Sequence, residues 1–97
     1  MINMTQTTVE KIASLLSQAG NAHHHYEQTV LKGVYDLDWH IWYAEYALEH
    51  GLGNLLDRSL TLERLSEFLS QSNEQYEREN TDRSWADYTA QKLVESF

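Results

Sequence analysis

The sequence predicts an all-α protein, a compact bundle of four or five helices that forms a single domain over residues 1–97. Three observations predict this fold. The chain has no proline and only four glycines, so few positions interrupt helical hydrogen bonding. Apolar residues recur every three or four positions in each long segment, which is the period of an amphipathic helix. The breaks between these segments are short, as in an antiparallel bundle.

The first helix is predicted to end at Gly33. Its apolar stripe begins with Val9, Ile12, Ala13, Leu16 and Ala19. The same spacing continues through Gly20 and His23, which favours one long helix. Gly20 and Asn21 are also suited to end one helix and begin another, so two helices remain an alternative.

A second helix is predicted over about residues 39–50. Asp36 or Asp38 is expected to cap its N-terminus, because a short carboxylate accepts hydrogen bonds from free backbone N–H groups. Two glycines and an asparagine within residues 51–54 predict a turn. Residues 55–56 then form a short apolar connector.

Two further helices are predicted in the C-terminal part of the chain. Thr61 is expected to cap a long helix that ends at a polar loop over residues 80–83. Ser84, followed three residues later by Asp87, resembles a capping box with the shorter acid and opens the last helix.

Charge and composition exclude several classes of function. Residues 1–35 are neutral overall, so residues 36–97 carry the whole net charge of −8. We therefore expect no binding to nucleic acid, which requires clustered basic residues. The absence of cysteine excludes disulfides, thiolate zinc sites and a cysteine nucleophile. No apolar run approaches the about 20 residues of a membrane span, and residues 1–5 lack the features of a signal peptide, which predicts a cytoplasmic protein.

Residues 35–46 contain five of the eleven aromatic residues. On a helical wheel, one arc of about 100° holds Trp39, Trp42, Tyr43, Tyr46 and His50. Apolar residues also occupy the opposite side of this helix. Such a helix is predicted to be the central core helix, and its aromatic residues are also candidates to line a ligand pocket or a subunit interface.

The last helix also has aromatic residues off its main stripe. That stripe consists of Ala86, Ala90, Leu93, Val94 and Phe97, whereas Trp85 and Tyr88 lie outside it. A second copy of the chain would cover these second apolar faces, which predicts a homodimer. The candidate ligand or interface residues are Trp39, Trp42, Tyr43, Tyr46, Trp85 and Tyr88.

A second set of candidates is polar. His23 and Glu27 share one face of the first helix, whereas the two histidines after His23 point to solvent. A buried histidine and carboxylate must be paired, so a satisfied structural pair is one interpretation. The other is a metal or acid–base site, in which they face Asp36 or Asp38. Because only two ligands share a face, we expect no bound metal ion and no cofactor.

The pattern Asp36-x-Asp38-Trp39-x-x-Trp42-Tyr43-Ala44-x-Tyr46 resembles a segment of small bacterial all-helical proteins of uncharacterised function. The segments His25-Tyr26-Glu27 and Trp85-Ala86-Asp87-Tyr88-Thr89 belong to the same pattern. The resemblance implies a free-standing helical domain and no catalytic assignment.

These features predict a small acidic helical protein that acts as a binding or interaction module and self-associates. Two alternatives remain. One is a small apolar-ligand-binding protein that uses Trp39 and Trp42. The other is a metal-dependent or acid–base enzyme that uses His23, Glu27, Asp36 and Asp38.

Overall fold

Five helices and no strand make up the regular structure of residues 4–97, which the computed structural model describes, with side chains from residue 8 onward. They are α1 (Met4–Thr29), α2 (Trp39–Glu49), α3 (Leu52–Leu56), α4 (Leu62–Glu79) and α5 (Trp85–Ser96). The prediction of an all-α bundle is therefore confirmed. Within residues 4–97, no helix combines the length and hydropathy that crossing a bilayer requires.

The N-terminal stripe forms one continuous helix, as its unbroken phase predicted. Helix α1 passes through Gly20 and ends at Thr29, four residues before the predicted end. Lys32 and Gly33 adopt the left-handed conformation, with φ of 54° and 84°, and this turns the chain back after the helix. The Gly33 N–H donates to the Glu27 carbonyl at 2.8 Å, which satisfies one of the last carbonyl groups of α1.

The core lies where α1 packs along α5 and α2, with α4 closing the other side of α2. Its fully buried large apolar side chains are Ile12, Leu16, Leu52, Leu65, Leu69 and Leu93. The prediction of a turn and connector over residues 51–56 is wrong, because Leu52–Leu56 is a short helix. Gly51, with φ of 96°, makes the sharp change of direction, and the burial of Leu52 then favours a helical turn against the core.

The predicted helix caps are confirmed in two cases and wrong in a third. The Thr61 hydroxyl accepts the Arg64 N–H at 3.2 Å, and the Ser84 hydroxyl accepts the Asp87 N–H at 3.1 Å. Asp38 stands at the N-cap of α2, but its side chain accepts no capping hydrogen bond. Asp36 does not cap α2 either, since one of its carboxylate oxygens accepts the Asp38 N–H outside the helix.

Most of the second apolar faces of α2 and α5 is covered within a single chain, although Ile41 of α2 stays 37% exposed. Ala44 and Ala47 of α2 are fully buried, while Trp39 on the same helix packs against Trp85 of α5. Tyr88 is 5% exposed and packs against α4. Trp85 and Tyr88 therefore give little support to self-association, because neighbouring helices already cover them.

We predict opposite effects for alanine at two glycines. A Cβ at Gly20 would lie 3.4 Å from the Tyr43 hydroxyl, an ordinary contact, so Gly20→Ala is expected to stabilise the fold by about 0.5–1 kcal/mol through helix propensity. A Cβ at Gly53 would lie 2.9 Å from the Arg58 carbonyl oxygen, so Gly53→Ala is expected to destabilise by about 1–3 kcal/mol. Urea denaturation measures both, and a Gly20→Ala variant as unstable as Gly53→Ala would contradict the packing described.

Candidate functional site

A buried histidine lies between two carboxylates at the C-terminal end of α1. His23 Nε2 is 2.9 Å from Asp36 Oδ2, and the histidine Nδ1 is 3.4 Å from Glu27 Oε1. The Asp36 side chain is 14% exposed and that of Glu27 is 27% exposed. The His23–Glu27 pair follows from their i,i+4 spacing on one helix. Asp36 comes from the connection between α1 and α2.

The backbone fixes the orientation of Asp36. After Lys32 and Gly33 turn the chain back, Asp36 Oδ1 accepts the Asp38 N–H at 3.0 Å. This bond leaves Oδ2 directed at His23. The carboxylate therefore ties the α1–α2 connection to α1 across thirteen residues of sequence.

Both nitrogens of the His23 ring face a carboxylate, which limits the chemistry of this group. Only the doubly protonated ring has an N–H for each carboxylate, and the three groups then carry a charge of −1. With a neutral ring, the charge is −2. In either case the cluster is negative, and His23 has no free nitrogen to take a proton from a substrate.

The three polar groups do not converge on a common point. Glu27 and Asp36 approach different nitrogens of the ring rather than a shared position beside it. Among the described residues, no group of three or more His, Cys, Asp or Glu side chains is arranged to hold a metal ion. The absence of a bound metal remains a prediction.

Aromatic rings surround the buried histidine. The His23 ring centroid is 5.0 Å from that of Trp42 and 5.0 Å from that of Tyr43. Burial, and secondarily the charge of Glu27, raises the pKa of Tyr43 above its ordinary value. The Tyr43 hydroxyl is therefore neutral at physiological pH and retains its proton for donation.

An open cavity of about 290 Å³ lies beside this cluster. Residues of α1, the α1–α2 connection, α2, α4 and α5 line it: His23, Glu27, Tyr35, Trp39, Tyr43, Asn73 and Trp85. Trp39, Tyr43 and Trp85 form one continuous wall of edge-to-face rings, with centroid distances of 5.4–6.0 Å. Aromatic side chains and the acidic residue Glu27 thus line the same cavity. We call this space the aromatic cavity.

The structure brings together seven of the predicted candidates and separates three. The cavity and the histidine cluster beside it contain His23, Glu27, Asp36, Trp39, Trp42, Tyr43 and Trp85. Asp38 is exposed and outside the cluster. Trp42 and Tyr46 stack on each other with centroids 5.6 Å apart and do not line the cavity. Of the two tryptophans predicted to line a ligand pocket, Trp39 lines this cavity and Trp42 does not.

Two lining residues were missed by sequence reasoning. Tyr35 precedes Asp36, so its position follows from the contact between Asp36 and His23. Asn73 lies four residues after Leu69 and three before Tyr76, within the apolar stripe of α4. A polar residue within an apolar stripe indicates that this part of the α4 face lines a cavity or contacts solvent as well as the core.

Tyr88 belongs to a separate cluster. Its hydroxyl donates a hydrogen bond to Glu79 at the end of α4, and its ring packs against Tyr76 at 5.1 Å. Burial, followed by the hydrogen bond to Glu79, raises the pKa of Tyr88 from 10.0 to about 12.

No family model matches the chain, and neither a curated protein nor a solved structure is significantly similar to it. Function must therefore be inferred from the chemistry of the site itself.

We predict that Asp36→Asn destabilises the protein by about 1–3 kcal/mol at neutral pH, because buried His23 loses a charged hydrogen-bond acceptor. Asp38→Asn is the matched control, since it makes the same charge change two residues away at an exposed position. Its effect should stay within about 0.5 kcal/mol. Chemical denaturation measures both variants, and equal losses of stability would show that the Asp36–His23 contact contributes nothing.

We also predict a loss of stability between pH 10 and pH 12 that depends on Tyr88. The folded state raises the pKa of Tyr88 from 10.0 to about 12, so it favours the neutral side chain. That contribution is complete below pH 10 and is lost as the pH rises towards 12. The free energy of unfolding should therefore fall more steeply over this range in the wild type than in Tyr88→Phe. Parallel curves for the two proteins would contradict this assignment.

Proposed function

We propose that this chain is a small-ligand-binding protein and that the aromatic cavity takes a small organic cation. The observation that carries the proposal is the combination of a negatively charged residue and four tyrosine and tryptophan rings around one small space. Organic ammonium groups are recognised by such a combination, because the faces of aromatic rings attract positive charge.

The charge of the cavity favours a cation over an anion. Glu27 and Asp36 together contribute two negative charges, and His23 contributes at most one positive charge. Among the described residues, no Lys or Arg lines the cavity. An anionic ligand would therefore meet net repulsion, whereas a cation would neutralise the site.

The aromatic wall favours an organic cation over an inorganic one. Trp39, Tyr43 and Trp85 present apolar surface, and a cation–π contact contributes about 0.5–2 kcal/mol when it is desolvated. A neutral apolar ligand would cover the partly exposed carboxylate of Glu27 and supply no positive charge to offset the net negative charge of the cluster, which is costly. The cavity volume of about 290 Å³ limits the size of the ligand, so we expect a few carbon atoms around one charged nitrogen.

An acid–base enzyme draws less support from the same geometry. Both nitrogens of His23 face carboxylates, so the ring is placed to orient Glu27 and Asp36 rather than to exchange protons with a substrate. Binding requires only the charge and shape that the cavity has.

Titration with tetramethylammonium chloride tests the proposal. We expect saturable shifts of the indole N–H resonances of Trp39 and Trp85 in NMR spectra, and smaller shifts for Trp42, which lies outside the cavity. Tert-butanol supplies a neutral probe of similar shape, and sodium chloride controls for ionic strength. Equal binding of tert-butanol, or no saturable shift with tetramethylammonium, would refute a cation site.

A pair of charge variants locates the binding. Glu27→Gln should weaken tetramethylammonium binding about tenfold or more, which corresponds to about 1.4 kcal/mol. Glu45→Gln makes the same charge change at an exposed position of α2 that does not line the cavity, and it should bind as the wild type does. Equal weakening in both variants would assign the effect to the net charge of the chain.

A further inference from the structure

We propose that the exposed apolar residues of segment 30–41 form a self-association surface, covered by the same surface of a second copy of this chain. We call it the connection surface. Its members are Val30, Val34, Tyr35, Leu37 and Ile41. It differs from the sequence-based interface, which relied on Trp85 and Tyr88.

The described side chains include six large exposed apolar residues, and five of them lie on the connection surface. Their exposed fractions range from 37% for Ile41 to 79% for Leu37. The sixth, Leu62, lies apart at the start of α4. Isolated exposed apolar residues are ordinary, but five of them within the twelve residues of segment 30–41 are typical of a surface that associates.

The polypeptide holds this segment in place although its side chains face solvent. Asp36 anchors it to His23, and the Val34 N–H donates to the Leu31 carbonyl at 3.1 Å. The Trp39 N–H in turn donates to the Asp36 carbonyl at 3.3 Å. The apolar side chains are thus presented on an ordered turn rather than packed into the core.

The charge pattern identifies a second copy as the occupant. Two chains of charge −8 repel each other, and the whole excess lies in residues 36–97. Within segment 30–41, Asp36 is directed inward at His23, which leaves Lys32 and Asp38 exposed. In a two-fold contact, Lys32 of each chain can meet Asp38 of the other. The connection surface is therefore complementary to itself in charge.

The size of the surface predicts a weak dimer. Five side chains do not fill the about 800 Å² per partner of a standard interface, so we expect dissociation in the micromolar range. Salt should strengthen the dimer, because screening the long-range repulsion between two acidic chains outweighs the loss of two exposed ion pairs.

Sedimentation velocity of the full chain over a micromolar concentration series tests the proposal. The series is measured at about 0.1 M salt, where the Debye length is about 10 Å, and at about 1 M salt, where it is about 3 Å. We expect a monomer–dimer equilibrium that shifts to dimer at high salt. The double variant Val34→Ser, Leu37→Ser should weaken it at least about tenfold without unfolding, because both side chains are exposed. Leu62→Ser is the control, since Leu62 is also exposed (38%) but lies outside the surface, and it should dimerise as the wild type does.

Charge reversal tests the two-fold arrangement separately. Lys32→Asp should weaken the dimer, and the double variant Lys32→Asp, Asp38→Lys, which keeps the net charge at −8, should restore it. A wild type that is monomeric in both salts, or a Val34→Ser, Leu37→Ser variant that dimerises normally, would overturn the proposal. Monomeric wild type that binds phosphatidylcholine vesicles through these residues would overturn it in favour of a membrane surface.

Discussion

The contact between buried His23 and Asp36 is the interaction on which the rest of the site depends. It joins the end of α1 to the connection that leads into α2, and its distance is 2.9 Å. Backbone hydrogen bonds also order this connection, but most of its apolar side chains face solvent and do not tie it to the core. Asp36 directly follows Tyr35 and precedes Trp39 by three residues, and both of these residues line the aromatic cavity. A single charge-assisted hydrogen bond thus couples the path of the chain to the shape of the site.

The aromatic residues leave a cavity beside them because their rings pack edge to face. Trp39, Tyr43 and Trp85 meet edge to face, an arrangement that stabilises the α2–α5 contact while leaving room beside it. Glu27 lines the same cavity, paired to His23 but partly exposed. The fold therefore maintains a negative charge next to apolar rings, a combination that a cationic ligand would complete.

Apolar spacing and capping residues predicted the helices well. They did not predict the contacts between helices. Thr61 and Ser84 cap their helices as their side-chain chemistry predicts. The pairing of His23 with Glu27 follows from helical spacing, but Asp36 was expected as a cap, because the turn at Lys32 and Gly33 that brings it to His23 depends on tertiary structure. A helical wheel shows which residues share a face of their own helix. It does not show that α4 covers Tyr88 or that Leu52 is buried, so it cannot show how much of a second apolar face the same chain covers.

The backbone rigidity of the α1–α2 connection shows directly whether the His23–Asp36 contact holds it in place. Backbone ¹⁵N relaxation of residues 34–38 reports it without any ligand or partner, at protein concentrations dilute enough to exclude association. We expect order parameters of about 0.85 in the wild type, as in the helices, and values below about 0.6 in Asp36→Asn, where the hydrogen bond to His23 is weakened. Order parameters below about 0.6 in the wild type itself would show that the His23–Asp36 contact does not order the connection. A connection that moves freely cannot maintain the shape of the cavity.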